Sequence, residues 1–434
     1  MLILLLTAVL AFYVAWNLGA NDVANSMGTS VGSGAVTLRQ ALLIAGVLEF
    51  AGAVLLGQRV STTLAQTIVD PNLFAATPND FALGMVAALL TCGIWLQIAT
   101  SFGLPVSSSH AIVGAIAGFG WVAVGVKAVQ WQSIGAISIT WVLTPLVSGA
   151  IAAGLYALVN RWIVQRPHPL QQLYEWIPWL STGLVTVFGL IVFPAIAQAL
   201  PLSDLPLINR VTLPNHTWAL LMGAIASSAL TVAMWRVTTR QINPAHSQTL
   251  VSKTLIPSEQ VMARFQVLSA CFVAFAHGSN DVGNAIAPLV AIAHIQATGS
   301  VPLSSLTIPS WILVIGGGGL VFGLAVWGKN VITTIGENIT RLQPSSGFCA
   351  ELATATTTLT ASYLGLPVST SHALVGAVVG IGFVQRAQAP SGQAIQLKTL
   401  QQIALAWFVT IPAAIGLSVI LFSGLRMIRS IQFL

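Results

Sequence analysis

The chain has 434 residues, of which 56 % are hydrophobic and only 6 % are charged, and its formal net charge is +6. Soluble domains carry about 25 % charged residues, so this composition excludes an ordinary water-soluble protein and indicates an integral membrane protein. The basic residues are scattered over the connections between apolar segments and form no stripe, which argues against binding of nucleic acid.

Apolar windows long enough to cross a bilayer recur along the chain, and they predict an all-α, polytopic membrane protein with about twelve transmembrane segments. The windows cover residues 1–23, 40–57, 81–102, 106–127, 134–160, 178–200, 216–235, 261–296, 310–328, 348–364, 368–386 and 402–425. A polar interruption separates the seventh window from the eighth, as a soluble connector would. Assigning alternate connections to alternate sides places most lysines and arginines on the side of this connector. We therefore expect a cytoplasmic connector, with both termini outside.

The first window contains a short polar motif that returns in the eighth window. It reads GANDVAN at residues 19–25 and GSNDVGN at residues 278–284. In a helix, Asp22 and Asn25 lie on one face, and so do Asp281 and Asn284. A carboxylate among apolar residues is costly unless it is paired, and neither aspartate has a Lys or Arg within fifteen residues. We predict that each Asp–Asn pair binds a hard cation such as sodium; a helix cap or a protonated acid is the alternative.

Three glutamates are further candidates. Glu49 lies inside the second apolar window, so we expect it to face inward, either as an ion ligand or as a bridge between helices. Glu337 and Glu351 lie near the ends of windows in the second half, where the sequence favours neither a structural nor a functional role.

A second motif, GLPVSSSH, separates the third window from the fourth and returns later as GLPVSTSH. Proline lacks an N–H donor and disfavours helix in the residue before it, so Gly-Leu-Pro predicts a helix break, within either a re-entrant hairpin or two spans. Hydroxyl residues then occupy the N-cap and first turn of the next helix, where free N–H groups and the helix dipole favour an anion. Capping needs one hydroxyl rather than three, so we predict an anion site at Ser107, Ser108, Ser109, Ser369, Thr370 and Ser371. His110 and His372 follow these hydroxyls as supporting residues, acting either as neutral orienting groups or as proton carriers.

The two motifs keep their order and spacing in both halves, which indicates an internal duplication. The two copies of the Asn-Asp motif lie in the first and the eighth window, an odd separation of seven, so the halves would insert in opposite orientations, as inverted repeats do. We expect a first inverted repeat over residues 1–160, intervening spans over 161–235, the cytoplasmic connector over 236–262 and a second inverted repeat over 263–434. This organisation is typical of a secondary transporter rather than an enzyme.

At these motifs the sequence resembles the inorganic phosphate transporter family, of the PiT type, over nearly its whole length. Further stretches of the resemblance are GTSVGS at residues 28–33, HGSNDV at 277–282, Trp327-Gly328 followed by TIG at 334–336, and PSSGF at 344–348. Gly283 and Ile286 depart from the residues expected after the second aspartate, without loss of chemistry.

The resemblance implies a sodium-coupled importer of inorganic phosphate that works by alternating access as a homodimer in the cell's inner (plasma) membrane. Sodium is then the coupling ion, and no other cofactor is expected. Relatives that carry sulfate or couple to protons make a proton-coupled phosphate permease or a sulfate permease the alternative. The resemblance also implies that sodium lies near Asp22 and Asp281, and that phosphate is held by the hydroxyl residues with Asn21, Asn25, Asn280 and Asn284.

Overall fold

The structure, a computed structural model, describes residues 2–102, 106–199, 215–242, 255–303, 306–335, 342–388 and 397–431. These residues form thirteen α-helices, and their only β-pairing is one isolated bridge. The helices are α1 (Leu2–Gly32), α2 (Leu38–Leu56), α3 (Gln58–Gln66), α4 (Pro78–Ser101), α5 (Ser108–Val124), α6 (Trp131–Val159), α7 (Pro169–Ala199), α8 (Asn215–Ile242), α9 (Pro257–Thr298), α10 (Ser310–Ile335), α11 (Pro344–Tyr363), α12 (Thr370–Gln388) and α13 (Leu397–Ile431).

The predicted all-α membrane architecture is confirmed. Each of the predicted windows falls on a helix, and nine of the described helices are long and apolar enough to cross a bilayer. α5 is apolar but shorter, and α11 and α12 are not among the nine. The number of segments that span the membrane therefore stays a prediction.

Both ends of the predicted connector, residues 236–262, are helical, because α8 continues to Ile242 and α9 begins at Pro257. The bounds of the connector relative to the membrane stay a prediction. Pro257 fits the first helical turn because its missing N–H would have no partner there. Residues 243–254 lie outside the described residues.

Reciprocal contacts join the first and second halves of the chain. α1 packs against α10 while α9, which carries the second Asn-Asp motif, packs against α2. At both crossings two backbones nearly touch. A Cβ at Gly19 would lie 2.0 Å from a carbonyl oxygen of α10, and a Cβ at Gly278 would lie 2.0 Å from a carbonyl oxygen of α2. The first glycine of each Asn-Asp motif is therefore needed for close helix packing.

The two hairpin motifs are packed in the same reciprocal way. α5 lies against α13, and its counterpart α12 lies against α6. α9 is buried over most of its length and contacts α1, α2, α3, α4 and α11. The polar motifs of α1 and α9 are thus brought to the centre of the molecule, beside the starts of α5 and α12.

Candidate functional site

Three carboxylates and one imidazole meet at the centre of the molecule. His277 Nε2 lies 3.0 Å from Asp281 Oδ2, one helical turn along α9, and 3.9 Å from Asp22 Oδ2 of α1. The other ring nitrogen, Nδ1, lies 3.1 Å from Glu49 Oε1 of α2. All four side chains are buried. We call these four residues the carboxylate cluster.

The predicted aspartates do come together, although they are far apart in sequence, and Glu49 faces inward as expected. Sequence reasoning missed His277, which was noted only as part of a resembling stretch. The available signal was its position four residues before Asp281, which places both side chains on one helix face. His277 gives the acids a fixed partner where the sequence analysis expected mobile cations alone.

One imidazole does not compensate three carboxylates. Even a protonated ring leaves two negative charges in excess if all three acids are ionised. The lysines and arginines whose side chains the structure describes are exposed, except the half-buried Arg429, which pairs with Asp80. The buried atoms Asp22 Oδ2, Glu49 Oε2 and Asp281 Oδ1 have no hydrogen-bond partner among the described residues. Such oxygens suit a hard cation.

The cluster also has the dimensions of an ion site. One ligand atom each from Asp22, His277 and Asp281 can be chosen so that all three lie within 4.8 Å of one another. Asn25 Nδ2 donates to Asp22 Oδ1 at 3.0 Å, and Asn21 Nδ2 donates to the same oxygen at 3.3 Å. The first Asn-Asp motif thus orients its own carboxylate.

The second GLPVS motif breaks the helix as predicted. α11 ends at Tyr363, Gly365 has a left-handed φ of +72°, and α12 begins at Thr370. Ser369 Oγ accepts a hydrogen bond from the backbone N–H of His372 at 3.4 Å. In the first copy, Ser107 is the N-cap of α5 and accepts from the N–H of His110 at 3.3 Å. The first break itself, residues 103–105, lies outside the described residues.

The six hydroxyl residues are all buried and lie where the two helix starts face each other. Ser109 Oγ donates to the carbonyl of Val368, just before α12, at 2.9 Å. Ser369 Oγ and Ser371 Oγ are 2.8 Å apart. We call Ser107–Ser109 and Ser369–Ser371 the two hydroxyl clusters. Together they bring two helix N-termini and six hydroxyls to one place, which suits an anion.

The second Asn-Asp motif connects the carboxylate cluster to both hydroxyl clusters. Asn284 Nδ2 donates to Ser108 Oγ and to Ser109 Oγ, both at 3.2 Å. Asn280 Oδ1 accepts from the N–H of Val368 at 3.2 Å. Thr370 Oγ1 donates to Asp281 Oδ2 at 3.4 Å. Cation-type and anion-type groups are therefore in direct contact.

His110 and His372 lie directly behind the hydroxyl clusters, with their ring centroids 4.9 Å apart. Both are buried, and each packs against a tryptophan, Trp141 for His110 and Trp407 for His372. The ring contacts decide neither for an orienting group nor for a proton carrier, so the role of the two histidines stays a prediction.

The remaining sequence candidates lie elsewhere. Glu351 is buried and accepts hydrogen bonds from Thr29, Ser30 and Ser269 at 2.6–2.9 Å, so its carboxylate is satisfied by α1 and α9. Glu337 lies outside the described residues. Gly283 has a packing reason, because a Cβ there would lie 3.0 Å from a side-chain atom of Val60 in α3.

Comparison with known proteins agrees with the resemblance seen in the sequence. Residues 18–418 match the profile of a sequence family described as "Phosphate transporter family". A putative phosphate permease of Chlamydia trachomatis is 39 % identical over 431 residues, covering 98 % of this chain and 99 % of the relative. The chloroplastic inorganic phosphate transporter 2-1 of Arabidopsis thaliana is 39 % identical over 430 residues, covering 95 % of this chain and 70 % of the relative.

A solved structure is also similar. It is described as "The sodium-dependent phosphate transporter", and it is 35 % identical with a TM-score of 0.85. The match covers 99 % of this chain and 100 % of that structure. The architecture described above is therefore that of a transporter.

Proposed function

Because the chain belongs to the phosphate transporter family, we propose that it imports inorganic phosphate by alternating access, driven by sodium ions. It is an integral membrane transporter and not an enzyme. The name of the similar solved structure supports sodium as the coupling ion. The observation that carries the proposal is a buried excess of carboxylates beside the hydroxyl clusters. Asp281 accepts a hydrogen bond from Thr370 of the second cluster, and Asn284, one helical turn along α9, donates to the first cluster.

Electrostatics makes the two ligands depend on each other. Without cations, the excess negative charge of the carboxylate cluster repels a phosphate that itself carries one to two negative charges. Sodium ions held by Asp22 with Asn25, and by Asp281 with Asn284, supply the missing positive charge. Oxygen atoms without partners on both aspartates and on the Asn284 side chain support these assignments. Each ligand then raises the affinity of the other by the same factor.

The hydroxyl clusters serve the phosphate. Ser107, Ser108, Ser109, Ser369, Thr370 and Ser371 offer hydroxyl donors at two helix N-termini, and neither end requires a lysine or arginine. Asn284 and Thr370 link the hydroxyl clusters to the carboxylate cluster. Binding of sodium at the carboxylate cluster therefore reorganises the hydroxyl clusters that bind phosphate. Asn21, Asn25 and Asn280 complete the polar lining.

Alternating access follows from two halves that differ in arrangement. Asn280 accepts from the N–H of Val368 beside the second hydroxyl cluster, whereas its counterpart Asn21 donates to Asp22. The reciprocal packing of the helices supports inverted repeats over residues 1–160 and 263–434. We propose that transport interchanges the two arrangements.

Protons are the alternative driver, since His277 and three carboxylates are groups that can carry a proton. Sulfate is the alternative substrate, since hydroxyls at helix N-termini accept any tetrahedral oxyanion. A carboxylate facing the P–OH of phosphate would accept a hydrogen bond from it and would repel sulfate, which carries no proton at neutral pH.

One experiment separates these alternatives. The purified protein is reconstituted in liposomes, and uptake of radiolabelled phosphate and sulfate is measured while sodium and pH gradients are varied separately. We expect phosphate accumulation against its gradient that requires inward sodium and persists without a pH gradient. Accumulation driven by the pH gradient alone would assign proton coupling, and stronger accumulation of sulfate would change the substrate.

The assembly and placement in the membrane are also proposals. We propose a homodimer in the cell's inner (plasma) membrane, with both termini outside. Cross-linking in membranes tests the dimer, and labelling of single cysteines introduced near the termini tests the orientation.

A further inference from the structure

Four aromatic rings form a row behind the hydroxyl clusters. In order they are Trp141 of α6, His110 of α5, His372 of α12 and Trp407 of α13, with ring centroids separated by 3.9, 4.9 and 3.5 Å. We call these residues the ring stack. It contains two residues from each half of the chain, and its central contact joins the two halves.

Hydrogen bonds tie the ring stack to both helix starts. The backbone N–H of His110 donates to Ser107, and that of His372 donates to Ser369, so each histidine is bonded to the first residue of a hydroxyl cluster. Trp141 Nε1 donates at 3.0 Å to the carbonyl of Pro367, at the helix break of the other half.

One histidine makes a polar contact across the halves as well. His110 Nδ1 lies 3.3 Å from the carbonyl oxygen of Trp407, whereas neither ring nitrogen of His372 has a hydrogen-bond partner among the described residues. A change in the spacing of the rings would therefore move one hydroxyl cluster relative to the other.

The ring stack is not explained by apolar packing alone. His110 Nε2 is buried and has no hydrogen-bond partner among the residues described by the structure. An apolar side chain would fill the same space without an unsatisfied polar atom. Two buried histidines at matching positions in the two halves thus point to a role beyond filling the core.

We propose that His110 and His372 are positioning residues that hold the two hydroxyl clusters at the separation needed for both to bind one phosphate. This inference rests on the proposed function. The histidines do not contact the carboxylate cluster in any described hydrogen bond or ion pair, so their role concerns the anion rather than the cation. Phosphate affinity should therefore depend on the ring stack, while sodium affinity should not.

The test compares the phosphate KM with the half-saturating sodium concentration in reconstituted protein. We expect His110→Ala and His372→Ala each to raise the phosphate KM roughly tenfold to hundredfold, since small misplacements of binding groups have effects of this size. The half-saturating sodium concentration, measured at saturating phosphate, should stay within about twofold. The double variant should be no worse than the stronger single variant, because the two rings act as one unit.

Two further variants keep the test decisive. His372→Phe retains a flat ring, and it should restore most of the phosphate affinity that alanine loses. Phe81→Ala removes a ring from another buried aromatic cluster, in which the ring centroid of Phe81 lies 5.2 Å from that of Phe74 and 5.9 Å from that of Phe119. This control variant should leave the phosphate KM unchanged. If His372→Ala does not reach the membrane, Trp407→Leu replaces it, with the same expected rise in KM.

The outcomes are distinct. A wild-type protein without sodium-dependent phosphate uptake would refute the proposed function. A sodium-dependent wild type whose phosphate KM is unchanged in the alanine variants would refute the positioning role alone. An equal rise in the half-saturating sodium concentration and in the phosphate KM would assign the rings a purely structural role and would overturn the inference. Additive effects of the two substitutions on the phosphate KM in the double variant would overturn it as well.

Discussion

Asp281→Asn is the most informative single change, because it removes one charge from the carboxylate cluster while keeping the shape of the side chain. Asp281 Oδ2 lies 3.0 Å from His277 and accepts from Thr370, and Asp281 Oδ1 has no partner among the described residues. The variant should fold, because the cluster has an excess of negative charge and loses one of these charges.

The size of the effect follows from the geometry. Candidate ligand atoms of Asp22, His277 and Asp281 lie within 4.8 Å of one another, so an ion between them is close to each. A pair of unit charges about 4 Å apart at an effective dielectric constant of 20 interacts by about 4 kcal/mol. That energy corresponds to roughly a thousandfold in affinity, and relief of repulsion between the acids offsets part of it. We expect the half-saturating sodium concentration to rise by about 10² or more.

The assay is sodium-dependent uptake of radiolabelled phosphate in proteoliposomes, combined with thermal unfolding in sodium and in choline. Sodium should raise the Tm of the wild type, because it binds the folded state, and this rise should be lost in Asp281→Asn. Asp80→Asn is the matched control, since Asp80 pairs with Arg429 away from the site and such pairs contribute about 0–1 kcal/mol. Wild-type sodium dependence of both uptake and Tm in Asp281→Asn would refute the reasoning.

Three other predictions concern different parts of the structure. His277→Gln removes the fixed partner of three buried acids, so its Tm should fall strongly in choline and recover in high sodium; an equal fall in both salts would contradict this. Thr370→Val should raise the phosphate KM about tenfold, because it removes a hydroxyl and its bond to the carboxylate cluster. The control is Thr357→Val, because the hydroxyl of Thr357 donates only within its own helix. Equal phosphate KM values in the two variants would argue against phosphate binding by the hydroxyl clusters. Gly323→Ala should lower the free energy of unfolding by about 1–3 kcal/mol or more, because its Cβ would lie 1.9 Å from a carbonyl oxygen of α1. Gly318→Ala in the same helix meets nothing within 4 Å and should be neutral in thermal unfolding.

Much of the fold could be predicted from the sequence because membrane helices are defined by local composition. Each apolar window lies on a helix, and Gly365 with Pro367 ends one helix where the motif predicted a break. Short helices without an apolar signal were missed, as for α3 (Gln58–Gln66), which packs against α9. The helical ends of the predicted connector could not be read from the sequence, because a polar composition does not by itself end a helix.

The candidate site was predicted in its parts but not in its connections. Asp22 and Asp281 could be predicted as site residues because a carboxylate is costly in an apolar segment, and the same polar motif occurs in two such segments. The role of His277 depends on the approach of α1 and α2 to α9, which is a tertiary property that spacing along one chain does not contain. The same holds for the contact of His110 with His372, whose rings meet only through the packing of α5, α6, α12 and α13.

The central claim is that cations held by the carboxylate cluster allow phosphate to bind. Its most direct measurement is equilibrium binding of phosphate to the purified protein, by calorimetry, at increasing sodium with ionic strength held constant by choline. The account predicts no measurable phosphate binding in choline, and an increase in phosphate affinity with sodium that equals the increase in sodium affinity with phosphate. A phosphate Kd that is the same in sodium and in choline would contradict it.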